Sequence, residues 1–587
     1  MELLKIIVPI YLLIPAEVCF VLSDGEEVKV TTKYGTIQGL TRHFPDIDKP
    51  IKGVKKFLGI PYAAPPTGDR RFQPPQEPFS WKPAVYNASY FRNICLQDPE
   101  YNNFFWPNFS LAQSEDCLYL NVYAPNQNLP PSKLYPVMVY IHGGGYDAGT
   151  PAVSPGDVIP LWGVVLVTIQ YRLGVLGFAT TRDSQASGNS GMLDQIEALK
   201  WVQQNIKDFG GDASSVTIFG ESAGGSSVGL QLLSPRSKGL FHRAISISGV
   251  DLSPFAIGSS IEVANQTRKV AKQLGCSSSD NREMIKCLRS VDAKRFPVNE
   301  VNVWRPIVDG DFLPDTPENL RDAGKFHSVP YMAGFTSREG SYFFPDVLAK
   351  VTPENFRNYT ATIFYNIGNK YGQMMDGGLP KPLLDTIELL YTPWTDKSDK
   401  DKVRRGIADE VGDFTMTAPT HRDLLFHSQK APAYMYEFGH RSGLNPSPLW
   451  KGTAHKDDTP YQFGFPFMNL TVLQKYDDID RNVSNMVITL FTNFAKYGNP
   501  TPQPVRGVSW EEFNSSRKAY LRIHSVPEMA INFQPTRMAF WNRYYENMLK
   551  EEPKTCKSQS GESDMICLDL FCFVCGLCLF SISFGHI

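Results

Sequence analysis

The chain has 587 residues with 58 basic and 60 acidic side chains, a formal net charge of −2. This balance supplies no basic field for nucleic acid and no acidic tail, so a partner has to be recognised in pockets. With 42% hydrophobic and 12% aromatic residues the chain can bury a large core. No repeat or low-complexity tract is visible, and no linker or charge run divides residues 28–548, which reads as one large domain.

Met1–Ser23 carries a single basic residue, Lys5, followed by the apolar stretch Ile6–Pro15 and small residues near Ser23. This is the pattern of a secretory signal peptide, too short to span a bilayer. The expected organisation is a signal at 1–23, a domain at 24–548 and a tail at 549–587. Sequons at Asn87, Asn108, Asn265, Asn358, Asn469, Asn482 and Asn514 are compatible with the secretory route and a secreted or extracellular location. The body of the chain holds four cysteines in two locally spaced pairs, so the economical disulfides are Cys95 with Cys117 and Cys276 with Cys287. No Cys-x-x-Cys or histidine cluster accompanies those four, and zinc is not expected.

Val28 to Ile60 alternates short β-like runs with turns. From Tyr135 the texture changes. Val137–Ile141 is a continuous apolar, β-branched run expected of a strand buried on both faces, and it ends in His142-Gly143-Gly144-Gly145. Val164–Ile169 reads as another buried strand, Asp194–Asn205 as a helix, and Val216–Phe219 as a strand leading into Gly220-Glu221-Ser222-Ala223-Gly224. Alternating strand and helix signals predict an α/β fold, a large, mostly parallel sheet with helices on both faces.

The Gly-Glu-Ser-Ala-Gly segment has the spacing of a nucleophile elbow. A serine on a sharp strand-to-helix turn is strained, and glycines two before and two after it remove the Cβ atoms that would clash. The Gly triplet after a buried strand lets backbone amides approach a developing oxyanion closely. The expected donors are the amides of Gly144, Gly145 and Ala223, the last at a helix N-terminus that favours an anion. A serine hydroxyl needs a base and the base needs an acid, in chain order Ser, Asp/Glu, His. Among ten histidines, His455 sits in the polar loop Gly452–Asp458, whereas His327, His421 and His440 read as surface or structural residues. For the acid, Glu339 follows the apolar run Val329–Ala333, and Asp309 and Asp311 remain open alternatives.

Leu570–Phe584 is an uncharged stretch preceded by Ser558, Ser560, Gly561 and Ser563. Its length suits a removable glycolipid-anchor signal, which would attach the chain to a membrane. A disordered or acylated cysteine-rich tail is the alternative, and Asp569 at the edge of the run weighs toward it.

Taken with Phe57-Leu58-Gly59-Ile60-Pro61-Tyr62-Ala63, Ser114–Val122, Gly188–Gln195 and Phe209–Asp212, these motifs resemble the type-B carboxylesterase and cholinesterase family of α/β-hydrolases over about residues 28–548. The resemblance implies a serine carboxylesterase acting on a small-molecule ester through an acyl-enzyme on Ser222, with Glu339 as acid and His455 as base. It implies no cofactor and no metal, and counterparts for the disulfides and for the polar residues Glu221 and Ser248. It also raises two alternatives. One is a cholinesterase, for which Trp106 and Tyr342 would face a quaternary ammonium while Phe255 stands where that branch has tryptophan. The other is an adhesion or binding ectodomain like the non-catalytic relatives of the family. Oligomeric state is not legible in the sequence.

Overall fold

The computed structural model describes residues 25–550 except 100–110, 128–129, 131–132, 299–302, 344–347, 349, 353, 363–379 and 469–475. The signal segment, the tail, Trp106, Asn108 and Asn469 lie outside the described residues. Strands β1 (Glu27–Thr32), β2 (Gly35–His43), β3 (Gly53–Pro61), β4 (Val85–Asn87), β5 (Tyr119–Pro125), β6 (Tyr135–Ile141) and β7 (Val165–Ile169) form the first half of one sheet. After the small hairpin β8 (Thr180–Asp183) and β9 (Ala186–Ser187) come β10 (Gly211–Glu221), β11 (Arg243–Ile247), β12 (Tyr331–Thr336), β13 (Ala433–Phe438), β14 (Ala519–Ile523) and β15 (Glu528–Ile531). The 13-stranded sheet runs β1-β2-β3-β5-β7-β6-β10-β11-β12-β13-β14-β15, with β4 beside β2.

The sheet is parallel from β7 through β14 and antiparallel at both ends, apart from β4, which runs parallel to β2. The expectation of a mostly parallel sheet therefore holds for its middle. The N-terminal runs join the same sheet as hairpins, because short connections permit only antiparallel neighbours. The central strands divide their side chains between two cores. Val137, Val139 and Ile141 of β6 enter one, with Met192, Ile196, Leu199 and Val228. Met138 and Tyr140 enter the other, with Val483, Val487 and Phe491. The helices Ser190–Asn205 and Ala223–Leu233 thus cover one face and the helix Asp478–Tyr497 the other. Each fully buried Val, Leu or Ile contributes about 1.5–3 kcal/mol relative to exposure, so strands buried on both faces read as unbroken apolar runs.

Two expected boundaries shift. The helix begins at Ser190 rather than Asp194, after Asn189 in the left-handed region at φ 56°. Gly191 sits in its first turn because a Cβ there would press on Phe178 Cζ at 2.8 Å, and such small residues hide the helical period. The strand expected at Val216–Phe219 extends over Gly211–Glu221, with an irregularity in its pairing to β6 between Asp212 and Val216. Both expected disulfides form, at Cα separations of 5.0 Å for Cys95–Cys117 and 5.4 Å for Cys276–Cys287.

Candidate active site

The site lies at the C-terminal ends of β6, β10 and β12. Ser222 stands between the end of β10 and the helix Ala223–Leu233 with φ 60° and ψ −124°, a conformation that costs a side-chain-bearing residue of order 1–3 kcal/mol. The surroundings hold it there: its amide donates to Ile247 O at 2.8 Å and its carbonyl accepts from Ser226 N at 2.9 Å. The flanking glycines are required by close approach, since a Cβ on Gly224 would run into Ile141 O and one on Gly220 into Gly224.

After β6, Gly144 and Gly145 adopt φ of 108° and 67°, and the space a Gly145 side chain would fill is open. A Cβ on Gly143 would lie 2.7 Å from Glu221 Oε2 and 2.9 Å from Ser222 Cβ, which packs this loop directly on the elbow. Among the described residues the amides of Gly144, Gly145 and Ala223 donate to no protein acceptor. These amides lie on the Gly loop that packs on the elbow and at the start of the helix that follows Ser222.

Glu339 opens a short 3₁₀ turn after β12 and is buried. Its Oε1 accepts from Ser248 Oγ and from Thr336 N, both at 2.6 Å, and its Oε2 lies 2.6 Å from His455 Nδ1. Those donors orient the carboxylate, which in turn fixes the imidazole tautomer. Asp311, by contrast, is exposed and engages Arg236, while Asp309 Oδ1 accepts from the amides of Asp311 and Leu313 in a turn. Among the three acids considered, only Glu339 meets the histidine.

His455 is buried, with Tyr342 and Phe343 against its ring at centroid distances of 5.4 and 5.2 Å. Its Nε2 lies 3.0 Å from Glu221 Oε1 without the alignment of a hydrogen bond. No hydrogen bond joins Nε2 to the Ser222 hydroxyl among the described residues. Burial lowers the imidazole pKa, but the Glu339 and Glu221 carboxylates outweigh it and push it up to about 9. Burial likewise raises Glu221, yet Lys456 and His455 together hold it below the usual carboxylate range. His142 on the Gly loop is no rival base, because burial pushes it down to about 4.

The sequence reading did not single out Lys456 or Asp458 beside His455. Asp458 accepts from Gln462 at 2.8 Å, and burial with the neighbouring Glu339 and Glu221 raises its pKa well above the carboxylate range. Their position in the His455 loop was the available signal. His421 and His440 are buried structural residues rather than surface ones: His421 meets the Phe513 ring edge-on at 5.6 Å and His440 pairs with Asp480. Phe255 is buried near the elbow, where a Cβ on Gly249 would come within 3.3 Å of its ring. Among the described residues no group of His, Cys, Asp and Glu is placed to hold a metal ion.

The sequence profile of the carboxylesterase family, whose fold is the α/β-hydrolase fold, matches residues 26–541. The chain is 35% identical to Neuroligin-2 of Mus musculus and of Homo sapiens over 576 residues, covering 88% of this chain and 68% of those relatives. It is 33% identical to Neuroligin-3 of Homo sapiens over 593 residues, covering 87% of this chain and 68% of that relative.

Proposed function

The chain belongs to the carboxylesterase family, and we propose that it hydrolyses carboxylic esters through an acyl-enzyme on Ser222. The observation that carries this reading is the buried Glu339–His455 contact of 2.6 Å beside a serine held at φ 60°. In the proposed cycle neutral His455 takes the Ser222 proton as the hydroxyl oxygen attacks the ester carbonyl. The amides of Gly144, Gly145 and Ala223 receive the oxyanion, and the imidazolium then protonates the leaving alcohol. Water repeats the sequence to release the acid. The cycle requires Nε2 of His455, which has no hydrogen-bond partner at rest, to engage the Ser222 hydroxyl. No cofactor enters any step.

A second reading, an adhesion or binding ectodomain that performs no catalysis, is supported by two observations. The comparisons weigh toward it, because the relatives at 33–35% identity are named neuroligins and not esterases. In the resting geometry Nε2 of His455 also lies 3.0 Å from Glu221 and makes no hydrogen bond to the Ser222 hydroxyl. In either reading the chain follows the secretory route, and its exposed sequons Asn87, Asn265, Asn358 and Asn482 are available for glycans. No helix among the described residues is long and apolar enough to cross a membrane. Release of the cell-bound protein by a phosphatidylinositol-specific phospholipase tests attachment through the tail.

The deciding experiment is turnover of a short aryl ester by the secreted protein, with and without a serine-directed organophosphate, alongside Ser222→Ala. Turnover that disappears on both treatments supports the esterase. Absence of turnover, with Ser222 unlabelled, would leave the binding ectodomain.

A further inference from the structure

Resting on the esterase reading, we propose that Lys456 sets the charge of the acyl-transfer site and thereby selects esters that carry no cationic group. Lys456 directly follows His455 and occupies the left-handed region at φ 75°. A non-glycine residue there is strained, and strain kept beside a reactive centre points to a contribution from its side chain. Its Nζ lies 3.9 Å from Glu221 Oε2, and the side chain is 19% exposed. That same carboxylate touches His455 Nε2 at 3.0 Å through its other oxygen and borders the Gly143 loop and the elbow. The ammonium therefore acts one carboxylate away from the nucleophile.

Lys456 offsets one of the two carboxylates of the site. With His455 neutral, as the proposed cycle requires, the carboxylates of Glu221 and Glu339 are faced by one cation, Lys456, which lies beside Glu221. Burial raises the pKa of Asp458 well above the ordinary carboxylate range and pushes that of Asp457 up to about 7, so both lean toward the neutral form. His142 is neutral. The arginines nearby are engaged elsewhere, Arg338 with Asp409 and Arg441 with the Gly452 carbonyl at 2.9 Å. Take Lys456 away and neither carboxylate is faced by a cation when His455 is neutral, giving a more anionic site that would attract a quaternary ammonium. With Lys456 present that attraction is offset, in a partly buried setting where salt screens weakly.

The test uses three esters of one acyl group whose alcohols are choline, its uncharged carbon isostere and an anionic counterpart. In the wild-type protein kcat/KM for the choline ester should not exceed that for the isostere. Lys456→Met and Lys456→Gly should each raise the choline-to-isostere ratio about tenfold, mainly through KM, and lower the anionic-to-isostere ratio. Lys456→Arg should keep the wild-type ratios. The glycine variant relieves the left-handed strain and so keeps the fold accessible. An unchanged ratio in both the Met and the Gly variants, or a wild-type preference for choline, overturns this inference while leaving the esterase in place. If the wild-type protein turns over none of the three and Ser222 resists labelling, the esterase reading falls and this inference with it.

Discussion

Two buried histidine–carboxylate pairs invite comparison. His440 Nε2 lies 2.8 Å from Asp480 Oδ1, and Asp480 also accepts from Tyr461 Oη at 2.7 Å and Ser442 Oγ at 2.8 Å. His455 Nδ1 lies 2.6 Å from Glu339, which likewise accepts from Ser248 and the Thr336 amide. Seen from the acid, the two are alike: each carboxylate is saturated by donors. They differ in what stands on the far side of the histidine. The ring of His440 abuts that of Tyr461 at 5.2 Å, whereas Nε2 of His455 is buried without an aligned partner, beside a strained serine and three undonated amides. An acid–base pair is thus common structural material, and in the proposed esterase the adjoining serine and free amides are what would give it chemistry to perform.

Several substitutions would break or sharpen this contrast. The largest effect is expected from Ser222→Ala and His455→Ala, each lowering kcat by about 10,000-fold or more in an aryl-ester assay. Comparable loss in His440→Ala, with the fold intact by circular dichroism, would erase the distinction. Glu339→Gln should cost nearly as much, because an amide no longer enforces the tautomer that presents Nε2 to the serine.

The next effect is on pH. The carboxylates of Glu339 and Glu221 push the folded-state pKa of His455 up to about 9, above the roughly 6.5 of an unfolded histidine. The imidazolium therefore stabilises the fold fully below about pH 6.5, and that contribution is lost as pH rises through 9. Turnover needs the neutral ring, so log kcat/KM should climb over the same window in which the melting temperature falls. Glu221→Gln removes one of the two carboxylates and should move the activity limb down by about one pH unit or more. A flat profile between pH 6 and 9 would count against His455 as the base. Smaller still, Ser248→Ala deletes one of three donors to Glu339 and should lower kcat by about tenfold, near the 1.4 kcal/mol such a hydrogen bond contributes. Least affected should be the activity of His440→Ala, within about threefold of wild type. Its loss should appear instead as about 1–3 kcal/mol of stability in urea titration, because Asp480 keeps its burial and loses a donor.

Part of this contrast is legible in the sequence. The glycines at 220 and 224 have a steric cause that spacing alone reveals, and their collisions with Gly224 and Ile141 bear out that cause. The apolar runs at 137–141 and 164–169 betray strands buried on both faces, since a side chain with no aqueous side has no reason to alternate. The acid was not legible in that way. Glu339, Asp309 and Asp311 occupy similar loop contexts, and the residues of this sequence left them open until the resemblance to a family favoured Glu339. Nor could the sequence tell that His440 is buried against Asp480, a partner far along the chain.

What the sequence determined by itself is local. It specified which segments are apolar enough to enter the sheet, where the backbone must turn without a Cβ, and where nucleophilic and acid–base side chains stand. The tertiary structure alone decided which ones meet. Ser222, Glu339 and His455 follow β10, β12 and β13, parallel strands that end on the same side of the sheet, and there Glu339 meets His455. The left-handed turn that brings Lys456 to Glu221 has the same origin. Such distances depend on packing between segments that are remote in the chain, and no short-range pattern of residues encodes them.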